Sequence, residues 1–339
     1  MKTATRYLVP ALLALPLAFS GEPVRAGAEE TAFGVFEYVL DRASGTIDAA
    51  SGALETTLTA SGFRVLATLD AGAPQGCGFK ARVLAVVHPE YAQKLMAVNR
   101  KTAPFGVVDR INVFEDEKGI HVALLNPESV NRTVLMDDRA HAELSRTHTE
   151  ALRAAIAGAV AGTSVHREYG EKRTKGHIGK TMGVMAGGPF GEKVKDEFVI
   201  ASSDWQSVAS KVRAGLERKG AVWGLHRVYE FVLPEQETVI FGSSGTPMDT
   251  KSFSIVGAGA DETRDSFKCP GLAHAAAYPI EVVVARDGDA VKVRLVDTMY
   301  RMKMYFEDAG KWAFMKNMGM PGSIHDELAI QIKAGLGPQ

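Results

Sequence analysis

At 339 residues, with a formal net charge of −1, 46% hydrophobic and 23% charged residues, the chain is long enough for two domains. It has no charge excess to draw it to nucleic acid or an anionic membrane, and neither partner is expected. Two cysteines, Cys77 and Cys269, exclude a disulfide-rich scaffold and leave three possibilities: one bridge, two buried thiols or metal ligation.

Lys2 and Arg6 precede an apolar run from Leu8 to Phe19, and small residues follow to Ala26, Gly27 and Ala28. That order is a secretory signal at 1–28, cleaved before Glu29. Interrupted by Pro10 and Pro16, the run is too short to cross roughly 30 Å of hydrocarbon as a stable helix. The expectation is an exported protein, periplasmic if bacterial, with no membrane span after cleavage.

The rest of the chain reads as one α+β unit written twice, at 29–160 and 204–339. In the first copy Ala53, Leu54, Thr57, Leu58 and Ser61 have helical spacing and stop at Gly62 as a left-handed cap. Val208, Val212, Leu216 and Lys219 run to Gly220 in the same way, with Asp204 to cap the helix start. Strand-like text follows each, Phe63 to Leu69 and Ala221 to Val228, then Ala81 to Val87 and Val239 to Phe241. An x-Pro pair comes next in each copy, His88-Pro89 and Thr246-Pro247; Pro89 suits the first turn of a helix. Here the second copy gains about 13 residues, an insertion near 243–275 rich in Gly and Ser and expected at the surface. Hairpins at Arg110 to Leu125 and Val282 to Val296 restore the match. An extended segment is then expected through Met136 or Phe306, and a closing helix at Ala140 to Val160 or Ser323 to Leu336. The order helix, strand, strand, helix, strand, strand predicts antiparallel sheets with helices on one face. Residues 161–203, Gly-rich and with basic residues Arg167, Lys172, Arg173, Lys175 and Lys180, read as a linker or flap.

Leu58 to Leu69, the strand entering His88-Pro89, and Val107 to Pro127 with its Leu-Leu-Asn-Pro end resemble domain-of-unknown-function family 302. The resemblance covers nearly all of the first copy and extends more weakly to the second, where Asp297-Thr298 replaces Asn-Pro. It implies a compact α+β fold and brings no catalytic residues with it.

The copies differ in chemistry. Met302 and Met304 lie two apart, which on a strand puts both on one face, beside Tyr300 and Phe306. Trp312, Met315, Met318, Met320 and His325 follow closely. Thioethers with an imidazole suit Cu(I), so these methionines and His325 are the candidate ligands for copper, or for haem; Met is equally a flexible core filler. The first copy has Asn131 and Thr133 instead, so the fold does not demand methionine there. His274, five residues after Cys269, offers a Cys/His pair. Asp109, Glu115, Asp116, Asp287 and Asp289 read as solvated hairpin charges, and Asn131-Arg-Thr133 is a glycosylation sequon. Gly176-His-Ile-Gly-Lys-Thr181 fails as a phosphate loop, because Thr174 stands where the first glycine is required. Neither a His-Glu-x-x-His nor a Gly-x-Ser-x-Gly motif is present.

These readings point to an exported binding protein for a small ligand or soft metal at the Met-rich second repeat, or in a cleft between the repeats. One alternative is a periplasmic enzyme of redox or sulfur-compound metabolism, with Cys269 or a metal as its centre. Another is a non-catalytic partner of periplasmic electron carriers, whose methionines would form an exposed patch.

Overall fold

The computed structural model describes residues 32–136, 139–173, 178–181, 186–259 and 267–338; the expected signal at 1–28 lies outside them, as does part of the Gly176 to Thr181 segment. The chain runs β1 (Phe33–Ala43), α1 (Ile47–Ala60), β2 (Arg64–Asp70), β3 (Ala81–Val87), α2 (Pro89–Val98), β4 (Asp109–Asp116), β5 (Gly119–Leu125), α3 (Pro127–Val134), α4 (Ala142–Ala159) and β6 (Thr163–Arg173). A short ribbon of β7 (Ile178–Thr181) and β8 (Ala186–Gly188) follows, with α5 (Phe190–Lys193) after it. The second half runs β9 (Val194–Ile200), α6 (Trp205–Leu216), β10 (His226–Leu233), β11 (Thr238–Ser244), α7 (Thr246–Ala258), β12 (Ile280–Asp287), β13 (Ala290–Val296), α8 (Thr298–Phe306), α9 (Lys311–Lys316) and α10 (Gly319–Leu336).

The fold is α+β, with two antiparallel sheets in the orders β2-β3-β4-β5-β1-β6 and β10-β11-β12-β13-β9. Strand and helix order repeats from β1 through α4 and again from β9 through α10. Each unit therefore begins with a strand ahead of its first helix. That strand is hard to see in the sequence because the second one, Val194–Ile200, is short and carries Lys195, Asp196 and Glu197.

Alternation in the strands builds two cores. Leu84, Val86, Ile111, Val113, Val122 and Leu124 face α1 and α4, where Leu54, Leu58, Leu152 and Ile156 cover them. Val83, Ala85, Phe114 and Ala123 point the other way, into one core shared with the second sheet. Burial on both faces explains the nearly continuous apolar text of β3 and β12.

Three expectations change. Residues 161–203 are no simple linker: β6 pairs with β1 along its length and β9 is the edge of the second sheet. Edge strands carry polar side chains; Arg167 reaches Asp41, and Glu168 accepts the Gly34 N–H at 3.0 Å. The segments leading to Met136 and Phe306 are helical where extended chain was expected, as α3 and α8, with Met136 in a turn just past α3. Asn126 accepts the N–H of Glu128, and Asp297 that of Tyr300, so a side chain caps the start of each helix. Finally, the insertion near 243–275 is not a surface loop throughout. It contains α7, and its end, a 3-10 stretch at Pro270–Ala277, is buried against the first sheet. Gly271 also lets this stretch close on α7, since a Cβ there would sit 2.1 Å from the Phe253 carbonyl oxygen. Gly62 is left-handed, with φ +87°, whereas Gly220 owes its place to the Glu327 carboxylate packed against it.

Several links join the repeats. Cys77 and Cys269 form a disulfide, with Cα atoms 6.0 Å apart. Asn112 on β4 donates to the Leu272 carbonyl at 2.9 Å. Deepest, Arg110 of β4 donates to Glu281 Oε1 of β12 at 2.6 Å, to the Pro279 carbonyl at 2.8 Å and to Tyr305 Oη at 3.0 Å. Arg301 donates to the same Pro279 carbonyl and lies over the rings of Tyr278 and Tyr305.

Candidate functional site

Arg110 and Glu281 are 171 positions apart. The same spacing relates the cap Asn126 to the cap Asp297, so it registers the two units through β4–α3 and β12–α8. Matching the buried Leu152 and Ile156 of α4 with Leu328 and Ile332 of α10 registers the closing helices.

In the first unit the niche between sheet and closing helix is polar. His148 donates from Nε2 to Asp109 Oδ2 at 2.8 Å, and the Tyr91 ring stacks on its imidazole with centroids 3.5 Å apart. The Asn131 amide donates to Tyr91 Oη and to Ser145 Oγ, the latter at 3.1 Å. All five side chains are buried. Burial drives the Tyr91 hydroxyl far above its ordinary pKa, so it remains a neutral hydrogen-bonding group.

Register carries Asp109, Asn131, Ser145 and His148 onto Ile280, Met302, Pro321 and Ile324. These four line a cavity of about 40 Å³ in the second unit. Val256 of α7 and Phe306 of α8 add to its apolar wall, and Ser252, Tyr278, Arg301 and Asn317 contribute its few polar groups. Ser252 Oγ and Tyr278 Oη are 2.7 Å apart. The niche has thus exchanged polar, hydrogen-bonded side chains for apolar ones.

The methionine constellation is only partly assembled. Met302 and Met304 stand on α8, where about 100° per residue turns positions two apart to opposite sides. Met302 and Met320 line the cavity, while Met304 is 2% exposed in the core. Met315 is 46% exposed and Met318 half-buried. His325 faces Glu197, Nε2 to Oε2 at 3.3 Å. Trp312 is 75% exposed on the short helix that also supplies Phe314 to the cavity. Among the described residues no three His, Cys, Asp or Glu side chains group to hold a metal ion.

Other expected groups are accounted for elsewhere. The Cys269 sulfur is bonded to Cys77, so it is neither a free thiol nor a partner for His274, which is buried against Asp308 at 3.0 Å. Asn131 of the sequon is buried on α3. Asp109 is 5% exposed and pairs with His148, so it is not a solvated hairpin charge. Its alternation with Ile111 and Val113 was the available signal, since positions two apart on a strand share a face.

Sequence reasoning also missed Asp249, in the first turn of α7. It is 5% exposed and lines a separate cleft of about 260 Å³ between the units. Burial pushes its carboxyl pKa up to about 7, against hydrogen bonds from Gly72 N–H and Ser244 Oγ, both at 3.2 Å.

No family model matches the chain, and no curated protein does. Among solved structures it is similar to an uncharacterized conserved protein, DUF302, from Bacillus stearothermophilus. The two are 18% identical, the match covers 38% of this chain and 98% of that one, and the TM-score is 0.31. Among the described residues no helix is long and apolar enough to cross a membrane.

Proposed function

We propose that the protein binds a small molecule through a short alkyl group that enters the cavity of the second repeat. The observation that carries this reading is the replacement of Asp109, Asn131, Ser145 and His148 by Ile280, Met302, Pro321 and Ile324 around the same niche. A core needing only stability would fill such a hollow, because unfilled apolar volume costs about 24 cal/mol per Å³. Ligand sites are typically concave and apolar with a few polar groups to orient the guest, and Arg301, Asn317 and the Ser252–Tyr278 pair fit that role. Size restricts the guest: an apolar cavity of about 150 Å³ holds benzene, so about 40 Å³ suits one or two aliphatic carbons.

The test is methyl NMR of protein labelled at its methionine methyl groups, titrated with short-chain alcohols and thiols. Met302 and Met320 signals are expected to shift together while Met315 stays fixed, and Ile324→Phe is expected to abolish the shifts by filling the space. Unmoved Met302 and Met320 signals with every probe contradict the proposal. The soft-metal reading has its own outcome: a Cu(I) titration that moves Met302, Met320 and the His325 ring at stoichiometric metal selects copper instead.

A further inference from the structure

We propose that the cleft holding Asp249 is a binding site for a small organic cation carrying an ammonium group. This site is separate from the alkyl cavity; of the lining residues, the two share Tyr278 only. The cleft, about 260 Å³, lies between β2 of the first repeat and β10 and α7 of the second. Among its lining residues Asp249 is the buried carboxyl group.

Asp249 is a buried carboxyl group whose ionised form lacks a counter-charge. It receives two hydrogen bonds, from Gly72 N–H to Oδ2 and from Ser244 Oγ to Oδ1, each at 3.2 Å, long for their type. A carboxylate accepts about four. Among the described residues no Lys, Arg or His forms an ion pair with it, although buried charges are normally paired. An ammonium group in the cleft supplies both the counter-charge and the missing donors.

The surrounding groups suit such a guest. Asp70, on β2, adds negative charge at the rim while held by Arg82 at 2.7 Å. His226, on β10, lines the same cleft and donates from Nδ1 to the Gly224 carbonyl at 3.0 Å. Arg301 of α8 lies over the Tyr278 ring and is already bonded to the Pro279 carbonyl. A divalent metal fits less well, because no third acidic or imidazole donor joins Asp249 among the described residues.

Binding requires ionised Asp249, so an ammonium guest competes with a proton. Affinity is expected to be level above pH 8 and to fall toward tenfold per pH unit well below pH 7, with a proton released on binding at pH 6. Calorimetry of the full chain with butylammonium, run in two buffers of different ionisation enthalpy, measures both. Neutral 1-butanol is the control for the alkyl portion, and Asp249→Asn, nearly isosteric, is expected to lose butylammonium binding. Three results overturn the proposal: no butylammonium binding at pH 8, displacement of bound butylammonium by 1-butanol at equal concentration, or affinity unchanged between pH 8 and pH 5.5. All three are read on the natural chain, so they stand whether or not Asp249→Asn folds.

Discussion

His121 sits between two carboxylates, its Nδ1 donating to Asp41 and its Nε2 to Asp116, both at 2.9 Å, with the ring 3% exposed. Burial alone would lower its pKa, but the bonds to Asp116 and Asp41 outweigh it and hold the imidazolium above its ordinary 6.5. Burial likewise opposes ionisation of Asp116, and the bonds from His121 and from the Lys118 N–H outweigh it, keeping Asp116 below 3.8. The raised imidazolium stabilises the fold fully below pH 6.5, and that share is lost as pH rises through the folded pKa. The lowered carboxylate contributes fully above pH 3.8, and its share is lost as pH falls through its own folded pKa. His121→Gln should therefore cost most between these limits, about 1–3 kcal/mol, with the deficit shrinking above pH 7. Urea unfolding at pH 5.5 and 8.5 checks this; a deficit that grows with pH contradicts it. Asp116 lies across the β4–β5 hairpin from His121, five positions away, but Asp41 is 80 positions distant and only the pairing of β1 with β5 brings it to the ring, which sequence does not record.

Helix α8 shows how one element positions a site. Its start is set by Asp297, whose Oδ1 accepts the Tyr300 N–H at 2.9 Å, and whose own N–H donates to the Lys193 carbonyl. From that start the turn geometry sends Met302 to the cavity and Met304 to the core. Asp297→Ala removes the cap and is expected to cost about 1 kcal/mol. It should also weaken alkyl binding, because Thr298, Arg301, Met302 and Phe306 of this helix all line the hollow. Chemical denaturation and the methionine NMR titration read the two effects separately; unaltered stability would show that the cap is dispensable. Met, Arg and Lys all favour helix, so propensity contradicted the strand expected at Met302. The strand reading followed apolar alternation in a span of a few residues, where the two periods are easily confused.

At the scale of the whole molecule, the repeats meet through a buried charge cluster as well as apolar packing. Arg110 and Glu281 are 0% and 4% exposed, and Arg301 lies 3.7 Å from the same carboxylate. Removing Glu281 leaves two buried guanidinium groups without their counter-ion, so Glu281→Met is expected to cost about 3–5 kcal/mol. The double variant with Arg110→Met should cost clearly less than the two single changes together, because a hydrophobic pair can replace a buried ion pair at little cost. A double-mutant cycle by denaturation measures the difference, and simple additivity would mean that the two groups are not coupled. Because both residues occupy the same place in their repeats, the duplication itself brings the unlike charges together.

Alternation, caps and turn residues were legible along the chain: β3, β4 and β5, the helices α1 and α4, and the doubling of the α+β unit follow from local spacing, which depends on neighbours a few positions away. The sites did not follow. Asp249 gains its character from burial beneath Gly72, 177 positions distant, and the hollow around Met302 and Met320 exists only because α7, α8 and α10 converge there. Burial and the meeting of distant side chains are properties of packing between elements, and one-dimensional text records the residues without recording which of them lose water together.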